Sequence, residues 1–230
     1  MELMESKKIA IAIDGPAAAG KSTVAKIVAE ELSYIYIDTG AMYRALTLKA
    51  LNHHIDLEDE TALVELLLHT KIELQKNGKN QIVLLDEQDV TIDVRSQHVT
   101  NNVSYVAKLP AIREELVNRQ QQLASHRGVV MDGRDIGTRV LPDAEVKIYL
   151  IATVEERAKR RYEENKRRGI PSSMEQLIKE IEERDRIDSE RDASPLVKAE
   201  NAIEVDTTAM SINEVAQFIL DAASKLIVHE

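Results

Sequence analysis

The sequence predicts a doubly wound α/β fold built on a five-stranded parallel sheet, with a phosphate loop and a small antiparallel β insertion. Three observations carry this. Short apolar runs alternate with helical patterns along most of the chain. The first such run leads into Gly15-Pro16-Ala17-Ala18-Ala19-Gly20-Lys21-Ser22, which fits G-x-x-x-x-G-K-[ST]. Between the second and third core strands the rhythm breaks into short strands joined by turns.

Taken in order, Ile9–Ile13 is a short buried strand and 21–32 a helix. A loop between them brings backbone N–H groups and a helix N-terminus onto an anion. Its glycines permit backbone conformations and a close phosphate approach that a Cβ would hinder. Lys21 is placed to reach β/γ-phosphates and Ser22 to hold Mg²⁺, so the chain is expected to bind a nucleoside triphosphate. Ile35–Asp38 is the second strand and about 41–52 its helix. Leu57–His69 leads the insertion, in which Lys71–Leu74, Gln81–Leu85 and Val90–Val94 are strands. Asn77-Gly78-Lys79 and Asp86-Glu87-Gln88 are the turns between them. The remaining core strands are Val129–Asp132, Val146–Leu150 and Ala202–Val205, with helices over 111–125, 154–168, 174–190 and 211–226. Uninterrupted apolar strands of this length suit a parallel sheet covered on both faces. Ligands of such sheets bind outside the C-terminal strand ends. Four ends are therefore candidates: the phosphate loop, Asp38-Thr39-Gly40, Asp132-Gly133-Arg134-Asp135, and Thr153.

Bulk composition narrows the class. The chain has 230 residues, 43% hydrophobic and 30% charged, which is globular rather than disordered. With six Tyr, one Phe and no Trp, its core must be aliphatic. There is no cysteine, hence no disulfide or thiolate chemistry. Met1 to Lys8 shows no signal-peptide pattern and no run reaches membrane-spanning length, so a cytoplasmic location is expected. The net charge of −10 argues against general nucleic-acid binding. Locally, Arg157 to Arg168 carries seven Lys/Arg against two Glu. That run is either a solvated helix face or an anion-facing one. The pair His53-His54 reads as surface rather than a metal site, because adjacent side chains diverge and no further ligand is near.

Several residues point to chemistry. Val129-Val130-Met131-Asp132 ends in an acid that would steady Mg²⁺ in a phosphate-loop protein, or would simply close a turn. Arg134 and Arg139 stand among acids and glycines at the sheet mouth, as phosphate forks or as self-paired turn charges. Thr39 either caps the second helix or opens a second anion site with Arg44 one turn inside. Arg184, Asp188 and Arg191 share one helix face, which is also the pattern of an exposed, ion-paired helix. Together these suggest two facing phosphate clusters, the layout of a phosphotransferase whose acceptor is itself a phosphate.

The segments 13–23, 38–44 (Asp-Thr-Gly-Ala-Met-Tyr-Arg), 132–138 (Asp-Gly-Arg-Asp-Ile-Gly-Thr), 142–150 and Glu183-Arg184-Asp185 resemble those of the bacterial cytidylate kinases, from about residue 8 to 225. The resemblance implies a nucleoside-monophosphate-kinase fold with a core (1–37, 106–153, 192–230), an acceptor-binding part (38–105, with the insertion at about 71–94) and a helical lid (154–191). It implies Mg²⁺-dependent transfer from ATP to CMP or dCMP. Gly15 to Ser22, Thr23, Arg157, Arg160 and Arg161 would hold ATP. Thr39, Arg44, Ser104, Arg113, Arg134, Asp135, Arg184, Asp188 and Arg191 would surround CMP. Lys21, Arg134, Arg157 and Arg161 would stabilise the transferred group, and Ser22 and Asp132 would hold the metal. Thr39 replaces the serine of some members and keeps the hydroxyl. A monomer is expected, with no nucleic-acid or membrane partner. The alternatives are the same fold acting on UMP, AMP or shikimate, a module that binds ATP without turnover, and a GTPase switch. Against the switch, the chain has no Asp-x-x-Gly, and its Asn165-Lys166 is followed by two arginines.

Overall fold

The computed structural model describes residues 7–78 and 80–227; the predicted turn residue Lys79 and the first residues of the N-terminal segment lie outside them. β1 (Ala10–Asp14) is buried throughout. Its side chains alternate between two layers. Ile11 and Ile13, with Ile9 before the strand, join one apolar cluster; Ala10 and Ala12 join another with Ile37, Met131 and Ile136. The chain passes through the loop into α1 (Lys21–Glu31), whose N-cap is Gly20 at φ +92° with no capping side chain. The first-turn N–H groups of α1 are thus left without a side-chain acceptor.

β2 (Ile35–Asp38) runs directly into α2 (Thr39–Asn52). The cap of α2 is Asp38, which accepts the Ala41 N–H, and not Thr39. The helix starts earlier than its apolar pattern suggested because a carboxylate was available one residue upstream. α3 (Glu60–Leu68) is capped by Asp59 and leads to the hairpin of β3 (Ile72–Asn77) and β4 (Asn80–Leu85), paired antiparallel from Ile72 with Leu85 to Asn77 with Asn80. The third short strand is β5 (Gln88–Asp89), and the predicted strand Val90–Val94 does not form. Asp86 and Glu87 both take positive φ, making a tight two-residue turn. Thr91 then offers its hydroxyl to the Val83 N–H at 2.9 Å, which ends the ladder. The chain bends into a single 3₁₀ turn at Asp93–Arg95. Val90 and Val94 are apolar because they pack with Val83 and Leu85 against Ala41 and Ala45 of α2.

α4 (Gln97–Ala107) was not anticipated; its only apolar stripe is Val99, Val103 and Val106, and Ser96 caps it. α5 (Pro110–Leu123) begins with proline at its first turn. β6 (Val129–Gly133) ends in a short π-helical turn, Ile136–Val140, also unanticipated. β7 (Val146–Ile151), α6 (Val154–Arg167), α7 (Met174–Glu190), β8 (Ile203–Asp206) and α8 (Ile212–Ser224) complete the chain. A Ser211–Glu214 capping box opens α8.

The five core strands are all parallel, in the order β2-β6-β1-β7-β8. β1 lies at the centre with crossovers leaving in both directions. Register sets Asp14 beside Gly133 and Tyr149, and Asp38 beside Asp132, so the loops after four strands open at one edge. α2 to α5 share an apolar cluster of their own through Met42, Leu46, Leu63, Leu67, Val103, Val106, Ile112 and Leu116. By contrast, the α6–α7 pair has only a small one, Ala158, Leu177 and Ile181. Among the described residues no helix is long and apolar enough to cross a membrane, and His53 and His54 are exposed.

Candidate active site

The phosphate loop leaves β1 through Gly15, at φ +145°. A Cβ there would stand 2.2 Å from the Leu150 carbonyl oxygen, so only glycine fits against the backbone of β7. At the far end Lys21 is buried and donates to the Pro16 carbonyl at 2.6 Å. Burial, followed by the charge of Arg134, pushes its pKa well below the lysine range, against the pull of Asp132. Ser22 Oγ donates to Asp132 Oδ2 at 2.8 Å, and the Tyr36 hydroxyl donates to Oδ1 at 2.7 Å. Burial, then the neighbouring Asp38, raises the Asp132 carboxyl. A serine hydroxyl beside an aspartate is an all-oxygen donor pair, which fits a hard cation such as Mg²⁺.

Opposite the loop the chain gathers cations around carboxylates. Asp38 accepts from Arg44 at 3.0 Å and from Arg95 at 2.8 Å. Burial alone would raise its carboxyl, but the two arginines outweigh this and lower it. Asp188 lies among Arg134 (2.8 Å), Arg191 (3.5 Å) and Arg184 (4.0 Å). Burial and the neighbouring Arg134 bring the Arg184 pKa down to about 9. Burial and Arg113 bring that of Arg191 down to about 10. Arg44 Nε, Arg184 Nε and Arg191 Nη2 are buried without a hydrogen-bond partner. Buried cations that depress one another and keep donors unused form a site that an anion would relieve. Deeper in the cleft, Asp135 pairs with Arg113 at 2.5 Å, both nearly inaccessible. Arg113 also donates to the Ala107 carbonyl and lies 5.2 Å from the Tyr43 ring centroid. Ser104 is buried in α4 and lines the same cavity. Thr39 donates its hydroxyl to the Asp132 carbonyl at 2.7 Å, joining α2 to the end of β6.

The basic run on α6 is divided. Arg157 is buried, donating to the Ala17 carbonyl of the loop at 3.3 Å and pairing with Asp185 of α7 at 2.6 Å. Arg160 holds the Thr207 carbonyl at 2.6 Å and hydroxyl at 3.0 Å. Arg161 faces the cavity with Glu164 3.9 Å away, and burial lowers its pKa. Arg168 donates to the Arg95 carbonyl at 3.2 Å, bridging the end of α6 to the 3₁₀ turn.

Most of these groups line one cavity of about 830 Å³. The structure brings together the loop, Thr39, Arg44, Ser104, Arg113, Asp132, Arg134, Asp135, Arg160, Arg161, Arg184, Asp188 and Arg191 around it, with Arg157 against the loop's outer carbonyls. Arg139, also singled out as a phosphate fork, is not among the lining residues. Sequence reasoning missed Tyr36, Asp14, Arg95 and Thr207. Thr207 follows the fifth strand, and the strand-end rule that flagged the other four would have found it. Arg95 had no motif to mark it.

Fold and cavity define a phosphate-loop kinase. A family model described as Cytidylate kinase matches residues 11–225. The cytidylate kinase of Bacillus pumilus (strain SAFR-032) is 65% identical over 220 residues, 96% of this chain and 98% of that one. That of Anoxybacillus flavithermus (strain DSM 21510 / WK1) is 64% identical over 93% of this chain and 95% of that one, and that of Bacillus subtilis (strain 168) is 61% identical over 95% and 98%. The chain belongs to the cytidylate kinase family. Among solved structures, a gluconokinase from Sinorhizobium meliloti 1021 superposes with TM-score 0.50 at 16% identity, over 96% of this chain and 94% of that one, a likeness of fold alone.

Proposed function

We infer that the protein transfers the γ-phosphoryl group of ATP to CMP or dCMP, giving ADP and CDP or dCDP. The observation that carries the mechanism is the meeting of two anion-seeking centres in one cavity: the loop with Lys21 and Ser22, and the arginines around Asp188 and Asp38. In this reading residues 15–23 cradle the ATP phosphates and Lys21 leaves the Pro16 carbonyl for them. Ser22 and Asp132 would hold Mg²⁺, whose chemistry when bound is to neutralise phosphate charge. Arg44, Arg134, Arg184 and Arg191 with Asp188 hold the CMP phosphate and pentose, assisted by Thr39. Arg113, Asp135 and Ser104 read the base.

An acceptor phosphate is already ionised near neutral pH, so no strong general base is needed. What the residues supply is alignment and charge stabilisation. Residues 154–191 act as a lid whose closure over the cleft excludes water. The small apolar cluster of the α6–α7 pair is consistent with an element that can shift on the core. ADP formation with CMP, dCMP, UMP, AMP and no acceptor tests the reading. CMP and dCMP should support turnover, with little ADP in their absence. Equal activity with UMP or AMP would overturn the assignment of the acceptor.

Arg157 and Arg161, one turn apart on α6, separate two roles for the lid. Replacing either with alanine should lower kcat more than it weakens CMP binding, since contacts made only at the transition state appear in kcat. Steady-state kinetics beside direct CMP titration measures both. If CMP affinity collapses while kcat holds, these arginines belong to the acceptor site instead.

A further inference from the structure

One buried carboxylate has no part in the reaction as described. Asp14 ends β1 and directly precedes Gly15, the first residue of the phosphate loop. It is 4% exposed. Oδ1 accepts the Ile136 N–H and Oδ2 accepts the Gly137 N–H, each at 2.8 Å. Those two amides open the π-helical turn that immediately follows Asp135. At its start the segment is held by the Thr39 hydroxyl, which donates to the Asp132 carbonyl at 2.7 Å, and Gly133 leaves no room for a Cβ, which would stand 2.6 Å from Ile136 Cδ1. The backbone from Gly133 to Gly137 is therefore gripped at both ends, with Asp135 between the grips.

The chemistry of the grip is specific to a carboxylate. Its two oxygens accept one N–H each, with both donors buried. An asparagine keeps the shape but offers one oxygen and one NH₂ group, so one backbone donor would face another donor. The turn would then shift to relieve it.

We propose that Asp14 is a positioning residue for acceptor selection, fixing the turn that aims Asp135 at the pyrimidine while tying that turn to the strand that launches the phosphate loop. This rests on the reading of Asp135 as the base-reading carboxylate. It extends selectivity to a residue on the donor side of the sheet that touches neither nucleotide.

The test is kcat and KM for CMP and UMP with wild type, Asp14→Asn and Asp135→Ala, alongside titration with a non-hydrolysable ATP analogue. Asp14→Asn should lose about ten-fold of the CMP-over-UMP preference, the scale of one hydrogen bond to a charged group, mainly through a raised KM for CMP. Its affinity for the ATP analogue should stay within about two-fold, because the loop residues Gly15 to Ser22 that would hold the phosphates are unchanged. If Asp135→Ala loses the preference and folded Asp14→Asn keeps it, the proposal is wrong and the base-reading assignment stands. If Asp14→Asn loses ATP-analogue binding and keeps the preference, Asp14 serves the phosphate loop and the proposal is equally wrong. If Asp135→Ala itself keeps the preference, the underlying reading falls first. Should Asp14→Asn fail to fold, Asp14→Glu takes its place: it keeps two acceptor oxygens but carries them one methylene further from β1, so the Ile136 and Gly137 amides must move to meet them. It should shift the preference in the same direction, and an unchanged preference overturns the proposal.

Discussion

Lys21→Ala is expected to lower kcat by at least ~10²-fold while leaving the fold intact. The ammonium group is buried against the Pro16 carbonyl, with its pKa held down by burial and by Arg134. Such a charge is costly at rest, only partly offset by Asp132, and gains further partners when phosphates arrive. Removing it takes away a stabiliser of the charge that moves during transfer, and it relieves a desolvated cation in the empty protein. The thermal midpoint should therefore hold or rise as activity disappears. Purified variant, circular dichroism melting and ADP release measure the two effects. A folded variant with near-normal turnover would remove the phosphate loop from the mechanism.

The second large effect is expected at Asp135. Cytosine presents an amino donor where uracil presents a carbonyl, so a carboxylate at that point favours one and repels the other. A lost buried hydrogen bond and a new clash of acceptors together amount to roughly 2–5 kcal/mol. The wild-type protein should prefer CMP to UMP by at least tens-fold in kcat/KM, roughly the lower end of that range. Asp135→Ala or Asp135→Asn should cut CMP activity and shrink the ratio. Asp135→Ala also takes from buried Arg113 its one close carboxylate among the described residues, leaving it hydrogen-bonded to the Ala107 carbonyl and set over the Tyr43 ring. A loss of stability of about 3–5 kcal/mol is the usual consequence of breaking a buried pair from one side. Asp135→Asn retains an acceptor for Arg113 and separates selectivity from stability. If both variants keep the full preference, Ser104, Arg113 or Arg191 reads the base.

The core of the fold was legible because its signals are local. Each central strand is a short apolar run, and all five appear in the sheet close to where the sequence put them. The phosphate loop is likewise a contiguous motif whose glycines have visible backbone reasons. What the sequence hid depends on partners distant along the chain. Val90–Val94 resembled a strand, yet its valines are apolar for the sake of α2, and Thr91 ends the ladder. α4 buries valines at helical spacing, Val99, Val103 and Val106, but the apolar stripe is thin and set among polar residues. Arg95 becomes interpretable only when its guanidinium is seen on Asp38, 57 residues away. Asp14 was read as part of a motif, and nothing local says that its carboxylate reaches the amides of residues 136 and 137. By spacing alone Arg184 on α7 and Arg191 just past its end could belong to a solvated face; a buried, unpartnered nitrogen on each argues otherwise.

The central claim is that one cavity holds both nucleotides with their phosphates facing. Calorimetric titration with a single molecule joining adenosine and cytidine 5′ to 5′ through a polyphosphate bridge tests it most directly. If the claim is right, one equivalent binds per chain, more tightly than either nucleotide alone because the second contact is intramolecular, and it competes with both ATP and CMP. Two equivalents per chain, or competition with only one of the nucleotides, would contradict it.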